Sequence, residues 1–335
     1  MADGWRKFEK RQAVRAIDVA RAAQVSQSAV SRVFRGGSVA PQRRAEILKV
    51  AKALGYWPDA MARAIITRRS GIVGILLSSA TNLHGPDVLT TLCRALAMSG
   101  MRAMVFVVET KSEIDAAIDQ ALAYRVDGVI ALTDIADAHA NALSQLGSIL
   151  VLYNLGSENG AADRVGCDHE DDAAELARHL LDKNATNFWI FAGPETSALA
   201  NQRLTGILRG LRSSAALITV ECDIGDCSFE SGVEAVARHL ATGQAEPHAV
   251  IAVNARMAMG AVEALRAADR SARRTISIAT FDDPIATQSP RFEMITMTQP
   301  HAQLAAAAVE IIAARLHGEP DVSGQRTFRS TLSGE

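Results

Sequence analysis

Apolar residues at helical spacing organise the N-terminal part of the chain. The stretch from Ile17 to Phe34 predicts two short helices joined by a tight turn, because apolar side chains recur every three or four residues on both sides of Ser26. Ser26 is expected to cap the second helix by accepting a hydrogen bond from the backbone of Ser28 or Ala29. The positions predicted to form the facing apolar stripes are Ile17, Val19, Ala20, Ala23, Val25, Ala29, Val30 and Val33.

A third helical run extends from Pro41 to Gly55, where the glycine predicts the end of the helix. Its apolar positions are Ile47, Leu48, Val50, Ala51 and Leu54. The N-terminal unit is therefore expected to be all-α.

Beyond Ser70 the pattern changes to short apolar runs that alternate with helices. The predicted strands are 71–77, 102–108, 128–132, 149–153, 188–192, 218–221, 249–253 and 276–281. Continuous apolar strands are typical of a parallel sheet that is buried on both faces. Because the alternation occurs in two successive series, the sequence predicts an α/β body of two doubly wound parallel sheets.

Composition and charge distinguish the two parts further. The 335 residues are 48% hydrophobic and 21% charged, which is typical of a globular protein. Residues 1–69 contain 15 lysines and arginines against 5 acidic residues, a balance of +10, whereas the remainder contains 20 against 32, a balance of −12. A basic module on an acidic body predicts a polyanion-binding head such as a DNA-binding domain.

The second helix carries the residues best suited to reading DNA. Gln27, Ser28, Ser31 and Arg32 are predicted to point outward from the start of that helix, as in the recognition helix of a helix-turn-helix. Arginine suits the O6 and N7 atoms of guanine, while glutamine and serine contact bases or phosphates. An ordinary pair of helices with a solvated polar face would show the same local pattern.

The longer run of residues carries a resemblance to a known family. The segments DVARAAQVSQSAVSRVF and VAPQRRAEILKVAKALGYWPDAMARAI resemble, in order and spacing, the headpiece and hinge of the LacI/GalR family of bacterial transcriptional regulators. The resemblance implies a hinge helix in which Ile65 wedges into the minor groove of DNA and Ala62 lies at the helix contact. Arg15, Asp59 and Arg35 depart from the family's usual Thr, Asn and Asn, and Arg15 and Arg35 are expected to contribute to DNA binding.

The resemblance also implies the domain organisation. A basic extension (1–13) precedes a headpiece (14–58), a hinge helix (59–69) and a bilobed, periplasmic-binding-protein-like core (70–330). The first lobe is expected to comprise about 70–170 and 300–322, and the second about 171–298 and 323–330. A crossover near Gln299 should return the chain to the first lobe for a helix from His301 to Leu316. No heptad-bearing tail follows, so a homodimer on a pseudo-palindromic operator is expected.

Effector-binding residues are sought just after the strands, because ligands of open α/β sheets bind at the carboxyl ends of the strands. This rule, together with the family's ligand-gripping arginine and aspartate, selects Ser78, His84, Asn154, Arg203, Asn254, Asp282, Gln299 and His301. The alternative for Arg203 and Asp282 is that they form a salt bridge between the lobes and do not contact an effector. His301 stands where several sugar-responsive members of the family have an aromatic residue.

Aromatic residues make up only 4% of the chain, and the predicted pocket is less negative than is usual in the family. Ala255 replaces the acidic residue that is usual in the family, and Arg256 follows it. We therefore expect a carbohydrate-type effector that carries negative charge, such as a sugar acid or a phosphorylated sugar. The alternative is that Arg256 lies on the helix surface.

Other classes of function find less support. The sequence contains no Gly-rich phosphate loop, no nucleophile elbow and no zinc spacing, so neither an enzyme nor a metal or cofactor site is expected. The acidic run from Cys167 to Asp172 is expected to face the positive end of a helix dipole. No signal peptide or membrane-spanning run is evident, which predicts a cytoplasmic protein. The alternatives left open are a regulator with a non-sugar corepressor such as a purine, and a cytoplasmic small-molecule-binding or metabolic protein.

Overall fold

The computed structural model describes residues 14–34, 37–57, 64, 69–78, 85–155, 162–243, 245–268, 276–281, 294–319 and 324–334. The chain divides into two compact units, Met1–Ser70 and Gly71–Glu335. Among the described residues, no helix is long and apolar enough to cross a membrane.

In residues 14–34 and 37–57 of the first unit, the structure contains three helices, as the sequence predicts. They are α1 (Ala16–Ala22), α2 (Gln27–Phe34) and α3 (Pro41–Leu54). The Ser26 hydroxyl accepts a hydrogen bond of 3.2 Å from the Ala29 backbone, so the predicted cap is confirmed. Gly55 follows α3 in the left-handed conformation with φ +69°, where glycine avoids the steric cost of a side chain. The buried core of the unit consists of Val19, Ala20, Ala23, Val30, Val33, Ile47 and Ala51.

Three residues predicted for this core are substantially exposed. Ile17 is 47% exposed, Leu48 42% and Leu54 40%. Because each helical residue turns by about 100°, Ile17 points away from the direction shared by Val19 and Ala23. Leu48 is likewise turned away from its buried neighbour Ile47. The apolar stripes are therefore narrower than predicted.

The second unit contains two six-stranded sheets. The first has the order β11-β5-β4-β3-β1-β2 and is parallel throughout. Its strands are β1 (Ile72–Ser78), β2 (Arg102–Val108), β3 (Gly128–Ala131), β4 (Ile149–Tyr153), β5 (Asp163–Cys167) and β11 (Gln325–Phe328). The second has the order β12-β10-β9-β8-β6-β7, and β12 alone in it is antiparallel to its neighbour. Its strands are β6 (Asn187–Ala192), β7 (Thr219–Ile224), β8 (Ala249–Ala252), β9 (Ser277–Phe281), β10 (Ile295–Thr298) and β12 (Thr331–Ser333).

Helices cover both sheets. They are α4 (Gly85–Met98), α5 (Lys111–Ala123), α6 (Asp137–Gln145), α7 (His169–Asp182), α8 (Ala198–Arg212), α9 (Phe229–Ala241), α10 (Ala255–Ala267) and α11 (His301–His317). The first sheet with α4, α5, α6 and α11 forms the first lobe, and the second sheet with α7 to α10 forms the second. After Gln299 the chain continues in the first lobe, where α11 packs through Leu304, Ala308 and Ile312.

One predicted lobe boundary is wrong. The segment 323–330 was assigned to the second lobe, but β11 pairs with β5 in the first sheet, and only β12 joins the second. The chain therefore crosses between the lobes three times. The first crossover joins β5 to α7 through Asp168, the second joins β10 to α11 through Gln299 and Pro300, and the third joins β11 to β12 through Arg329 and Ser330.

Glycines bring the helices of the second lobe unusually close. A Cβ added to Gly206 of α8 would lie 2.2 Å from the Glu170 backbone oxygen and 2.8 Å from the Ala173 Cβ of α7. A Cβ on Gly210 would lie 2.5 Å from the Ala174 backbone oxygen. At these two glycines, the backbone of α8 therefore packs directly against the backbone of α7.

Candidate DNA-binding and effector sites

The outward face of α2 brings together most of the residues predicted to read DNA. Gln27, Ser28 and Arg32 are exposed, whereas Ser31 is half-buried. The Arg32 Nε atom donates a long hydrogen bond of 3.4 Å to the Ser28 backbone oxygen, and the Ser26 and Ser28 hydroxyls lie 2.9 Å apart. The contact at Arg32 is weak, so its guanidinium can exchange it for an external acceptor. The face therefore has the donors that contact phosphates and guanine edges.

Arg15 lies immediately before α1 and is exposed. Its backbone N–H donates a 2.9 Å hydrogen bond to the Asp18 carboxylate. This N–H group at the start of the helix has no partner within the helix backbone, and the carboxylate provides one. An arginine side chain has no acceptor with which to cap α1 itself, and its charge is therefore directed to solvent. The remaining predicted DNA contacts, Arg35, Ala62 and Ile65, lie outside the described residues.

In the second lobe, Arg203 is held rigidly inside the protein. It is 2% exposed, although it carries a full positive charge. Its Nη1 atom donates a 2.8 Å hydrogen bond to the Val253 backbone oxygen at the end of β8, and its guanidinium lies 4.6 Å from the centre of the Phe281 ring. Hydrogen bonding and a cation–π contact thus offset the cost of burying this charge at the carboxyl edge of the second sheet.

Asn254 shapes the same edge. Its Oδ1 atom accepts from the Met257 backbone at 2.9 Å and caps α10, while its Nδ2 atom donates to the Cys227 backbone oxygen at 3.0 Å. Both ends of the amide are engaged within the protein. Asn254 therefore positions the loop that contains Cys227.

Cys227 is a residue of this edge that the sequence rules did not select. It has a φ of +68° and lies in the short connection between β7 and α9. Burial raises the pKa of its thiol, and the positive charges of Arg203 and Arg256 partly oppose this rise. Arg256 itself is half-buried, and no described carboxylate pairs with it. The sequence predicted the preceding strand to end at residue 221, whereas it ends at Ile224, so Cys227 did not stand out as a residue at a strand end.

Asn154 and Gln299 meet at the crossovers. Asn154 has a φ of +57°, its Oδ1 atom accepts from the Cys167 backbone at 3.2 Å, and its Nδ2 atom donates to the Gln299 Oε1 atom. Gln299 is 4% exposed, and His301 follows it as the half-buried first residue of α11. Asn154, which follows β4, is therefore hydrogen-bonded both to Cys167 just before the first crossover and to Gln299 in the second crossover.

A small cavity of about 100 Å³ lies beside Asn154. Its lining includes Arg164 of β5 and Thr327 of β11 in the first lobe, and Gln202 of α8 in the second. Arg164 is half-buried, and the described residues provide no carboxylate partner for it. The lining of the cavity is therefore largely polar and includes a basic residue.

Three predicted effector residues cannot be placed in either group. His84 and Asp282 lie outside the described residues, and Ser78 is described only as the last backbone position of β1. The described residues contain no group of three His, Cys, Asp or Glu side chains that could hold a metal ion. Arg203, Asn254, Asn154, Gln299 and His301 remain as the placed polar residues of the predicted site.

Comparison with known proteins matches both parts of the chain. The family profile of bacterial regulatory proteins of the lacI family matches residues 17–59, and the profile of the periplasmic binding protein-like domain matches residues 177–333. Catabolite control protein A of Staphylococcus xylosus is 26% identical over 310 residues, which cover 90% of this chain and 92% of that protein.

Solved structures share the fold. The Lac repressor dimer bound to operator and the anti-inducer ONPF superposes with a TM-score of 0.80 at 23% identity, over 96% of this chain and 98% of that one. The Cra regulator of Pseudomonas putida in complex with fructose 1-phosphate has a TM-score of 0.70 at 17% identity, over 79% of this chain and 98% of that one. With a helix-turn-helix unit and a two-lobed core matched in the same order, the chain belongs to the lacI family of bacterial regulatory proteins.

Proposed function

We propose that the protein is a cytoplasmic, DNA-binding transcriptional repressor whose affinity for its operator is controlled by a sugar-type effector bound in the two-lobed core. The observation that carries the DNA-binding part is the exposed face of α2, where Gln27, Ser28 and Arg32 project from a helix capped by Ser26. An effector that favours one arrangement of the lobes by a few kcal/mol is sufficient to shift the DNA-binding equilibrium.

The replacement Arg32→Ala should weaken specific DNA binding by about 1–3 kcal/mol, because it removes the side chain best suited to a guanine edge. The measurement is the affinity for an operator selected from random duplexes, compared with the affinity for random DNA. Arg43→Ala on α3 is the matched control, since it removes the same charge from a residue that is paired with Glu46 at 3.8 Å. Equal losses on operator and random DNA in Arg32→Ala would exclude base reading by Arg32.

We further propose that the effector carries negative charge, as a sugar acid or a phosphorylated sugar does. Three arginines support this proposal. The Arg203 guanidinium lies at the carboxyl edge of the second sheet, the charge of Arg256 acts on Cys227 at the same edge, and Arg164 lines the cavity at the crossovers. Arginine holds carboxylates and phosphates through two parallel hydrogen bonds. The Pseudomonas regulator of the same fold, solved with fructose 1-phosphate, provides a precedent for an anionic ligand.

A thermal-shift screen of the full chain tests the effector proposal. The panel contains neutral sugars, the matching uronic acids and sugar phosphates, and nucleobases. A ligand stabilises the folded state by RT ln(1 + [L]/Kd), so millimolar concentrations detect modest affinity. We expect stabilisation by an anionic sugar and not by its neutral parent. Stabilisation by neutral sugars alone contradicts the proposed charge, and a nucleobase hit that strengthens DNA binding identifies a corepressor instead.

We also propose that the protein acts as a homodimer, which a pseudo-palindromic operator requires. The edge strand β2 supports this proposal, because Val105 is 41% and Val107 is 60% exposed on an open edge of the first sheet. Exposed apolar side chains on a sheet edge are typical of an association surface.

The replacement Val107→Lys is expected to weaken dimerisation by roughly 3 kcal/mol, about a hundredfold, because it introduces a buried charge without a partner. Sedimentation equilibrium measures the association constant. Leu146→Lys, which changes a residue that is 69% exposed just after α6, should leave the dimer intact. An unchanged dimer in Val107→Lys would remove β2 from the interface.

A further inference from the structure

Asp172 lies in the first turn of α7 but does not behave as its acidic neighbours do. The sequence predicts that the acidic run from Cys167 to Asp172 faces the positive end of a helix dipole. In the structure, Glu170 and Asp171 are partly exposed and both pair with Arg209 of α8. Asp172, in contrast, is only 2% exposed. A carboxylate in such a position loses most of its hydration, which is costly unless other groups replace the water.

The group that replaces water is Ser330 of the third crossover. The Ser330 hydroxyl donates a hydrogen bond to the Asp172 Oδ2 atom, across 158 positions of the sequence. Ser330 is itself buried, with 8% exposed. The contact therefore fastens the third crossover to the helix that follows the first crossover.

Burial raises the pKa of the Asp172 carboxyl above its ordinary value. The hydrogen bonds from Ser330 oppose this rise, whereas the negative charges of Asp168, which precedes α7, and of Glu175 within α7 add to it. Arg209 of α8 is engaged by other carboxylates, and Arg329 of the third crossover lies 4.0 Å from Asp171. The packed strands β10 and β12 contain no ionisable residue. The buried position therefore disfavours the ionised form of Asp172 relative to an exposed carboxylate.

We propose that the Asp172–Ser330 hydrogen bond is a proton-sensitive latch that holds the first and third crossovers together and limits the relative movement of the two lobes. Protonated Asp172 accepts the Ser330 hydroxyl without burying a charge. Ionised Asp172 gains hydration when the start of α7 separates from Ser330, so the latch loosens as pH rises. Its relevance to gene regulation rests on the proposed function, in which lobe movement transmits the effector signal.

Hydrogen exchange of the full chain, followed by mass spectrometry over a range of pH, tests the latch. Peptides that cover 168–172 and 328–332 are compared with a peptide that contains the fully buried β8, which corrects for the intrinsic pH dependence of exchange. In the wild type, protection at the crossovers relative to β8 should fall about tenfold as pH rises through the pKa of Asp172. Asp172→Asn keeps an acceptor for Ser330 without a charge, so its protection should stay high and independent of pH.

Ser330→Ala removes the donor and should lower protection at the crossovers about tenfold even at low pH. Ser333→Ala is the matched control, because the Ser333 hydroxyl contacts Thr298 and Thr296 within the second sheet and should retain the wild-type profile. If Asp172→Asn keeps the wild-type pH dependence, or if Ser333→Ala acts like Ser330→Ala, the latch is refuted. If Ser330→Ala fails to fold, the pH dependence of protection in Asp172→Asn is sufficient to test the latch. The experiment uses neither DNA nor effector, so its failure is distinguishable from that of the proposed function.

Discussion

Gly206→Ala is expected to destabilise the core by about 2–3 kcal/mol, because the added methyl group would lie 2.2 Å from the Glu170 backbone oxygen. Real carbon and oxygen atoms do not approach so closely, so α8 must move away from α7. Backbone atoms have little freedom to yield, and the cost is therefore shared by the whole helix pair. Chemical denaturation followed by circular dichroism measures the loss directly.

Thr205→Ala provides the matched control for this substitution. Thr205 precedes Gly206 on α8 and is exposed, so its replacement leaves the contact with α7 unchanged. Alanine also has the higher helix propensity, and the control should be neutral or slightly stabilising. Equal stability of Gly206→Ala and the wild type would mean that α8 and α7 are less closely packed than their backbones indicate.

Arg203→Ala is expected to abolish stabilisation by the anionic effector. Loss of two charge-assisted hydrogen bonds to a carboxylate or phosphate should cost about 3 kcal/mol in binding, a factor of roughly one hundred. The same change leaves the Val253 backbone oxygen without its 2.8 Å donor and opens space beside Phe281, so some stability of the core should be lost as well.

Two further variants separate binding from folding at this position. Arg203→Lys preserves the charge and most of the volume but lacks the planar fork, so it should fold well and still bind weakly. Arg212→Ala removes an exposed arginine at the end of the same helix and should bind the effector as the wild type does. A thermal shift that persists in both Arg203 variants would assign Arg203 a purely structural function.

Local signals were sufficient for much of this fold. The Ser26 cap, the Gly55 stop and the continuous apolar strands depend on neighbouring residues, and the sequence predicted them correctly. Strands β5, β10, β11 and β12 were not predicted, since they have only three to five residues and several carry polar side chains. Their partners lie far away in sequence, as the pairing of β11 with β5 illustrates.

In the candidate site, too, contacts between residues far apart in the sequence were not predicted. The rule about strand ends selected Asn254, Asn154 and Gln299, and the resemblance to the family selected Arg203. In the structure these four residues make polar contacts at strand ends or crossovers. The sequence did not reveal that the Asn254 side-chain amide donates a hydrogen bond to the Cys227 backbone oxygen, or that the side chains of Asn154 and Gln299 are hydrogen-bonded to each other. The sequence placed Asp172 in an acidic first turn but did not predict its burial, because its partner Ser330 lies 158 positions further along the chain.

The third crossover has a consequence for the order in which the protein assembles on the ribosome. The short segment 325–333 supplies an outermost strand to both sheets, β11 to one and β12 to the other. Neither sheet is complete until this segment has been synthesised, although the three-helix unit can fold as soon as it emerges. A nascent regulator would therefore possess a folded DNA-reading head well before it possesses a finished sensor.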